Sequence, residues 1–262
     1  MLKNIKIRID VFLKYKNLLR ELVIRDIKVR YRRSVLGMLW TVLNPLLMMT
    51  VITIVFSTLF QQNIEYYPIY YLAGSLVFSF NSETTSNALY SIIGNSPLMK
   101  KVYIPKYLFP LSKTVSGVVN LGFSMIAMFI VMIILGMKFQ PTLLLLPIPV
   151  FYVFMFSAGS GLFLAAITVF FRDVANFYGV FVMAWTYFTP VFYPVSILPD
   201  SAMKLMYWNP MYHYVDYMRQ LIIYGQFPGM KENLVCFLFG AVSLIVGIVV
   251  FYKKQDDFVL FV

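Results

Sequence analysis

The sequence predicts an all-α integral membrane protein: six transmembrane helices, an N-terminal amphipathic interfacial helix, and short re-entrant or interfacial external helices before the last span. Hydrophobic residues make up 60% of the 262 residues and charged residues 13%, with a mean hydropathy of +0.77. Soluble domains have roughly 45–50% apolar and about 25% charged residues. Eleven of the 22 lysines and arginines also lie in the first 33 residues, directly before an apolar run that begins at Val35. We therefore expect a cationic segment beneath a bundle of membrane helices.

Residues 1–34 are predicted to form an amphipathic helix in the cytoplasmic interface. Val11, Tyr15, Leu18 and Leu22 fall on one helical face, and most of the cations lie on the other faces. Such a helix can rest its apolar side in the membrane surface while its cations meet anionic lipid headgroups. An ordinary positively charged flank without a mechanical role is the alternative interpretation.

Residues 35–262 are predicted to form one transmembrane domain, since each span needs roughly 20 residues. The expected spans cover residues 35–60, 68–93, 108–135, 142–171, 176–193 and 234–252. The second contains seven consecutive polar residues, 81–87, and that part of it must face protein or water. The fourth contains a cluster of small residues, 157–161, which allows another helix to approach closely.

Residues 194–231 are too polar for a full span but contain a helical signal at 211–224. Asn209 can cap this helix, Pro210 suits its first turn, and Gly225 can end it. Fourteen residues give a length of about 21 Å, which is short of the hydrocarbon core of roughly 30 Å. We expect a re-entrant or interfacial element.

The distribution of basic residues predicts the orientation. Eighteen of the 22 would lie on one side of the predicted spans, and only Lys138, Lys204, Arg219 and Lys231 on the other. The positive-inside rule therefore places both termini in the cytoplasm.

The sequence offers no residue set suited to catalysis. Its single histidine, His213, and single cysteine, Cys236, have no accompanying metal-ligand or nucleophile pattern, and neither a metal nor a bound cofactor is expected. No G-x-x-x-x-G-K-[ST] phosphate loop is present, so ATP would have to act through another subunit. Glu83 is the one clear ionisable candidate deep within a predicted span, which disfavours ion-driven transport. The basic charge borders membrane spans, which favours lipid rather than nucleic acid as its partner.

Aromatic residues are concentrated near the external ends of the predicted spans. A membrane-interface belt is one explanation for them. Aromatic rings also stack on the apolar faces of sugars, by analogy with their stacking on bases, so they could line a conduit for glycans. The candidate channel residues are Tyr66, Tyr67, Tyr70, Tyr71, Trp185, Tyr187, Phe188, Phe192 and Tyr193, and a further group comprises Tyr207, Trp208, Tyr212, Tyr214 and Tyr217.

Four motifs make the chain similar to the membrane subunit of type-2 ABC exporters, in the branch that exports O-antigen, capsule or teichoic-acid polysaccharides. Together they extend over nearly the whole chain, and their order between six predicted spans is more specific than any one of them. The motifs are RDIKVRYRRSVLGMLWTVLNPL from Arg25, NSPLMKKVYIPK from Asn95, FFRDVANF from Phe170 and WNPMYHYVDYMRQLI from Trp208.

The resemblance implies a homodimer in a bacterial cytoplasmic (inner) membrane, with two ABC ATPase subunits that bind ATP and magnesium, and a lipid-linked polysaccharide as substrate. Residues 194–231 would contain the external gate, including the second aromatic group. Arg30, Arg32 and Arg33 would meet the lipid headgroup of the substrate. The elements coupled to the ATPase would include Asn95, Lys100, Lys101, Lys106, Arg172 and Asp173.

Two other functions remain open from the residues alone. A type-2 exporter of a small drug or lipid would share the architecture and differ in its substrate. A membrane-embedded glycan-processing enzyme would also place aromatics beside sugars, but it would need paired carboxylates or a metal site, and neither pattern is found.

Overall fold

The computed structural model describes residues 2–32, 34–60 and 64–261, and all regular structure in this part of the chain is helical. The predicted all-α class is therefore confirmed. The α-helices are α1 (Leu2–Tyr31), α2 (Trp40–Phe60), α3 (Tyr67–Leu89), α4 (Ser96–Lys101), α5 (Leu108–Ile134), α6 (Pro147–Phe170), α7 (Val174–Phe188), α8 (Asp200–Met206), α9 (Pro210–Ile222), α10 (Met230–Lys254) and α11 (Phe258–Phe261).

Four helical stretches of the described chain are long and apolar enough to cross a membrane. They are Gly37–Phe56, Leu108–Ile134, Pro141–Phe170 and Met230–Phe261, and they match the first, third, fourth and sixth predicted spans. Helix α3 has 23 residues, but its polar run makes it less hydrophobic. Helix α7 has 15 residues and is about 22 Å long. The count of six spans depends on α3 and α7 and stays a prediction.

Two predicted spans end earlier than expected. Helix α3 ends at Leu89 rather than at residue 93, and α7 ends at Phe188 rather than at residue 193. Thr189 has an extended backbone, with ψ of 131°. The following residue is Pro190, whose ring disfavours the helical conformation for the residue before it. The chain therefore leaves α7 just before this proline.

Glycines allow α6 and α10 to pack with their backbones in contact. A Cβ added at Gly159 would overlap the backbone of Ser243, and one added at Gly247 would overlap the backbone of Gly159. Ser243 also donates from Oγ to the Phe156 carbonyl at 2.9 Å. The close approach predicted from the small residues at 157–161 is confirmed.

The buried apolar residues form two clusters at opposite ends of the bundle. One joins α3, α5, α6, α9 and α10, and we call its end of the bundle the α9 end. The other joins α1, α5, α6, α10 and α11, and we call its end the α1 end. Helix α3 lies at the centre of the fold, whereas α7 contains no buried residue. The fold thus covers α3 on most sides and leaves α7 largely uncovered.

Candidate functional site

A stripe of polar side chains runs along α3 on a side that the other described helices cover only in part. Its members recur every three or four residues, so they share one helical face. All of them are partly or fully exposed, while α3 residues on the other faces are buried. We call this set the α3 stripe: Ser75, Ser79, Ser82, Glu83, Ser86 and Asn87.

The remaining polar residues of this part of α3 point into the protein. Ser157 donates a hydrogen bond to Asn81 Oδ1 at 2.9 Å, and the hydroxyls of Thr85 and Tyr178 are bonded at 2.6 Å. Thr84 is buried and donates to the Phe80 carbonyl at 2.7 Å. The polar run at 81–87 therefore has two roles: one face forms hydrogen bonds to neighbouring helices, and the other supplies four of the six residues of the α3 stripe.

The amphipathic helix reaches the α3 stripe through an ion pair between Arg30 and Glu83. A cleft of about 700 Å³ opens beside this pair, and its lining includes Trp40, Asn44 and Asn120. We call it the α1–α3 cleft. It brings the first helix, the polar face of α3 and the start of α2 to one opening.

Helix α1 is fixed to the bundle by polar and apolar contacts. Asp26 Oδ1 lies 2.8 Å from Lys113 Nζ, and Arg25 Nη1 donates to Asn95 Oδ1 at 3.1 Å. Leu22 and Val23 are buried. Part of the apolar face of this helix therefore packs against protein, and its position in a membrane interface stays a prediction.

The three arginines predicted to meet a lipid headgroup have different surroundings. Arg30 and Arg32 are both exposed, but Arg30 is paired with Glu83. Arg33 lies outside the described residues. An anionic headgroup could reach Arg32 directly, but at Arg30 it would have to displace a carboxylate.

The predicted coupling residues divide in a similar way. The side chains of Lys100, Lys101, Arg172 and Asp173 are exposed at the α1 end of the bundle, where a second protein could contact them. Asn95 instead accepts from Arg25 and donates to the Ser91 carbonyl at 2.7 Å.

Lys106 is held by residues that follow the last long helix. Its Nζ donates to the Gln255 carbonyl at 2.5 Å and lies 5.8 Å from the ring centroid of Phe258. Phe258 is fully buried, with its ring 5.9 Å from Phe170 and 5.2 Å from Phe251. We call residues 255–261 the C-terminal hook. It joins the 94–106 loop to the end of α6, two elements that are distant in sequence.

Several predicted channel aromatics form hydrogen bonds to backbone carbonyls within the chain. The hydroxyls of Tyr67 and Tyr70 donate to the carbonyls of Phe192 and Tyr193, at 2.7 and 3.1 Å. The Tyr193 hydroxyl lies 2.9 Å from the Tyr187 carbonyl and 3.0 Å from that of Phe188. These bonds satisfy carbonyls where the chain leaves α7, and unpaired backbone groups are costly in an apolar environment.

The exposure of the channel aromatics decides which of them can meet a ligand in this conformation. Tyr67, Tyr70 and Tyr71 are buried, so little of their ring surface is free. Tyr187 is 62% exposed. The others are partly exposed: Tyr66, Trp185, Phe188, Phe192 and Tyr193.

The predicted gate aromatics also separate into buried and exposed groups. Tyr214 and Tyr217 are buried and donate to the Cys236 carbonyl and to Asn233 Oδ1, at 3.1 and 2.7 Å. Tyr207 and Trp208 are 59% and 79% exposed, and Tyr212 is partly exposed. The buried pair anchors α9 to α10, while the exposed pair is accessible at the surface.

Asn209 and Arg219 hold α9 in place. Asn209 caps the helix as predicted, accepting from Met211 N at 3.1 Å, and it also accepts from Trp185 Nε1 at 2.9 Å. Arg219 is 3% exposed. Its guanidinium lies 3.5 Å from the Tyr70 ring centroid, and its Nη2 donates to the Val191 carbonyl at 2.9 Å.

From the sequence alone, Arg219 was predicted only to be one of four basic residues on the external side of the membrane. The described structure instead makes it a buried link between α9, α3 and the segment after α7. Its position among Val215, Met218 and Ile222, spaced at helical intervals, was the available signal that it lies on the buried face of α9.

Comparison with known proteins agrees with this architecture. Residues 17–223, from α1 to the end of α9, match the ABC-2 type transporter family model. The chain belongs to the ABC-2 type transporter family. As a member, it is a multi-pass transporter permease subunit and is not itself an ATPase.

Curated relatives cover nearly the whole chain. The O-antigen export system permease protein RfbA of Myxococcus xanthus is 31% identical over 93% of this chain and 95% of its own length. The protein of the same name from Klebsiella pneumoniae is 26% identical over 89% of this chain and 90% of its own length. The polysialic acid transport protein KpsM of Escherichia coli is 20% identical over 90% of this chain and 92% of its own length.

Proposed function

We propose that this chain is the permease subunit of an ATP-driven exporter that moves a lipid-linked polysaccharide across the bacterial cytoplasmic membrane. The observation that carries the proposal is the α3 stripe, a row of hydroxyl, amide and carboxylate groups left open on a helix long enough to cross a membrane. Polar groups at membrane depth are retained where they face protein or an aqueous path. Relatives named for O-antigen export and polysialic acid transport support a glycan as the cargo.

We further propose that two copies of the chain form the path between them. A single α3 stripe is open on one side and cannot enclose a polymer, whereas two facing stripes can. Helix α7, which lacks buried residues, leaves surface for lipid or a second copy. In this arrangement both termini are cytoplasmic, and α3 and α7 complete six spans.

The α1 end is then the cytoplasmic end, where two ABC ATPase subunits would bind ATP and magnesium. The ATPase subunits would contact the exposed side chains at this end and transmit their movement to them. These side chains are Lys100, Lys101, Arg172 and Asp173. Asn95 and Lys106 would pass it to α1 and to the C-terminal hook through the bonds described above. No nucleotide or metal site is assigned to the chain itself.

Lipid-linked substrate would load beside α1. Arg32 is exposed, and Arg30 would become available to a phosphate group when Glu83 is displaced. The α1–α3 cleft leads from Arg30 to the α3 stripe, which makes a short route from the membrane surface to the path. Residues 194–231, with Tyr207, Trp208 and Tyr212, would form the external gate.

Mass spectrometry of lipid-linked glycans, comparing internal and external pools in depleted cells, tests the proposal. We expect an internal glycan to accumulate and its external form to disappear. Unchanged glycan pools would contradict polysaccharide export and would favour a small drug or lipid as cargo.

Complementation tests the path. Ser79→Phe and Asn87→Phe should lose most of the export at normal membrane abundance, because each places a ring in the α3 stripe. Ile245→Phe, at a 61% exposed position of α10 outside the stripe, is the matched control. Equal export by all three variants would exclude the stripe from the path.

A further inference from the structure

A second cleft lies at the α9 end of the bundle, and part of its lining belongs to the proposed external gate. It lies between the residues before α3, the turn after α5, the segment after α7, and α9 itself. Its volume is about 740 Å³, within the range of roughly 300–1,000 Å³ found for small-molecule sites. We call it the α9 cleft.

Tyrosines supply the flat surfaces of the α9 cleft. Tyr66, Tyr212 and Tyr224 line it, and all three are at least partly exposed. Tyr70 lines it as well, but the Arg219 guanidinium covers one face of that ring. The free ring area in the cleft therefore comes from the first three tyrosines.

Tyr66 is held in a left-handed backbone conformation, with φ of 57° and ψ of 48°. It is the one residue other than glycine with a positive φ in the described part of the chain. A bulky side chain disfavours this conformation, and such strain persists mainly where the surrounding structure requires it, often at binding sites. Here the strained residue also presents an aromatic ring to a cleft.

The charges that line the α9 cleft balance one another. Glu65 and Asp216 are acidic, and Lys138 and Arg219 are basic. In the described part of the chain, Glu65 and Lys138 form no salt bridge. Asp216 Oδ2 accepts from Gln220 at 2.7 Å, and its other oxygen has no hydrogen bond there. The cleft thus offers hydrogen-bonding capacity without net charge.

Gln140 adds an amide to this lining, and its position depends on a glycine. Gly225 has φ of +61°, and a Cβ there would lie 2.8 Å from the Gln140 amide carbon. Thr142 fixes the same turn by donating to the Leu221 carbonyl at 2.7 Å. The lining is therefore held in place by the surrounding backbone.

We infer that the α9 cleft binds one sugar unit of the exported glycan, with its apolar face on the Tyr66 or Tyr212 ring and a hydroxyl donating to Asp216. A sugar combines flat C–H surfaces with several hydroxyls, which matches aromatic walls beside free carboxylate and amide groups. The cleft has no net positive charge to favour a phosphate group, and the four charged residues disfavour a lipid tail. This inference rests on the proposed export function and adds a glycan contact on the exit side of each subunit.

Saturation-transfer NMR on the full chain in lipid nanodiscs tests the inference. The probes are the methyl glycosides of mannose, galactose, rhamnose and N-acetylglucosamine, with glycerol as the negative probe. We expect saturation transfer to at least one glycoside and none to glycerol. Tyr66→Asn should weaken that binding about tenfold, since it removes one stacking ring, and asparagine tolerates the left-handed backbone. Asp216→Asn should also weaken it.

Matched variants separate the cleft from other aromatic surfaces. Tyr66→Phe keeps the ring and should bind as the parent does. Tyr103→Ala removes an 88% exposed ring outside the cleft and should have no effect. Absence of transfer to every glycoside, or equal transfer in Tyr66→Asn and the parent, would overturn the inference.

Depletion of the parent protein in cells distinguishes failure of this site from failure of the proposed function. If the parent exports glycan, the function stands whether or not the α9 cleft binds sugar. If depletion leaves all glycan pools unchanged, the proposed function fails and the cleft has no exported glycan to bind.

Discussion

Replacing Arg219 by methionine should destabilise the protein by about 2–4 kcal/mol. Methionine retains an unbranched apolar stem but removes the guanidinium. The Val191 carbonyl then loses its donor among buried residues, at a cost of about 1–3 kcal/mol. The desolvated contact with the Tyr70 ring contributes roughly 2 kcal/mol more. Removing a buried charge also removes its desolvation cost, which keeps the net change below that sum.

Reversible unfolding in mixed detergent micelles measures this change, with Arg219→Lys as the companion variant. Lysine keeps the charge but lacks the planar group, so we expect it to recover about half of the loss. A double-mutant cycle with Tyr70→Leu should give a coupling of about 1–2 kcal/mol. Tyr70→Phe, measured separately, accounts for the lost hydroxyl bond to Tyr193. If Arg219→Met is as stable as the parent or more so, the link between α9 and α3 is not what we describe.

Three further predictions concern other contacts. Phe258→Ala should lower the free energy of unfolding by about 3–5 kcal/mol and reduce export. Leu260→Ala, at an 80% exposed position of the C-terminal hook, should leave both nearly unchanged. Equal effects of the two variants in unfolding assays would contradict the role of the hook. Gly247→Leu should separate α6 from α10 and lower the free energy of unfolding by at least about 3 kcal/mol. Gly122→Ala is the control, because a Cβ at Gly122 has no atom within 4 Å, and it should change stability by less than about 1 kcal/mol. Similar melting curves for the two variants would refute the close packing. Asp26→Asn should weaken the docking of α1 by about 1 kcal/mol and increase proteolysis near Arg25, and an unchanged digestion pattern would argue against this anchor.

Local features of the sequence predicted the helices well. The Asn209 cap and the close approach at the small residues of α6 follow from residue type and spacing. The end of α7 was placed too late because the apolar run continues to Tyr193. The proline effect on Thr189 was the stronger local signal.

Long-range partners could not be predicted in this way. The Val191 carbonyl that binds Arg219 is 28 positions away, and no pattern indicates which backbone group lacks a donor. The family resemblance implied that Tyr214 and Tyr217 belong to the external gate. Their helical spacing with Met211, Met218 and Leu221 is typical of a buried face, and that is where both lie.

The C-terminal hook has a consequence for biosynthesis. A ribosome makes Phe258 after every other helix that shares its cluster, including α1, whose Leu22 belongs to the same buried group. Until residues 255–258 emerge, the space between the ends of α6 and α10 lacks the Phe258 ring, and Lys106 lacks the Gln255 carbonyl. The surface where we expect the ATPase to bind therefore cannot reach its final form before Phe258 has been made. The order of synthesis alone would keep an unfinished permease from premature coupling to ATP hydrolysis.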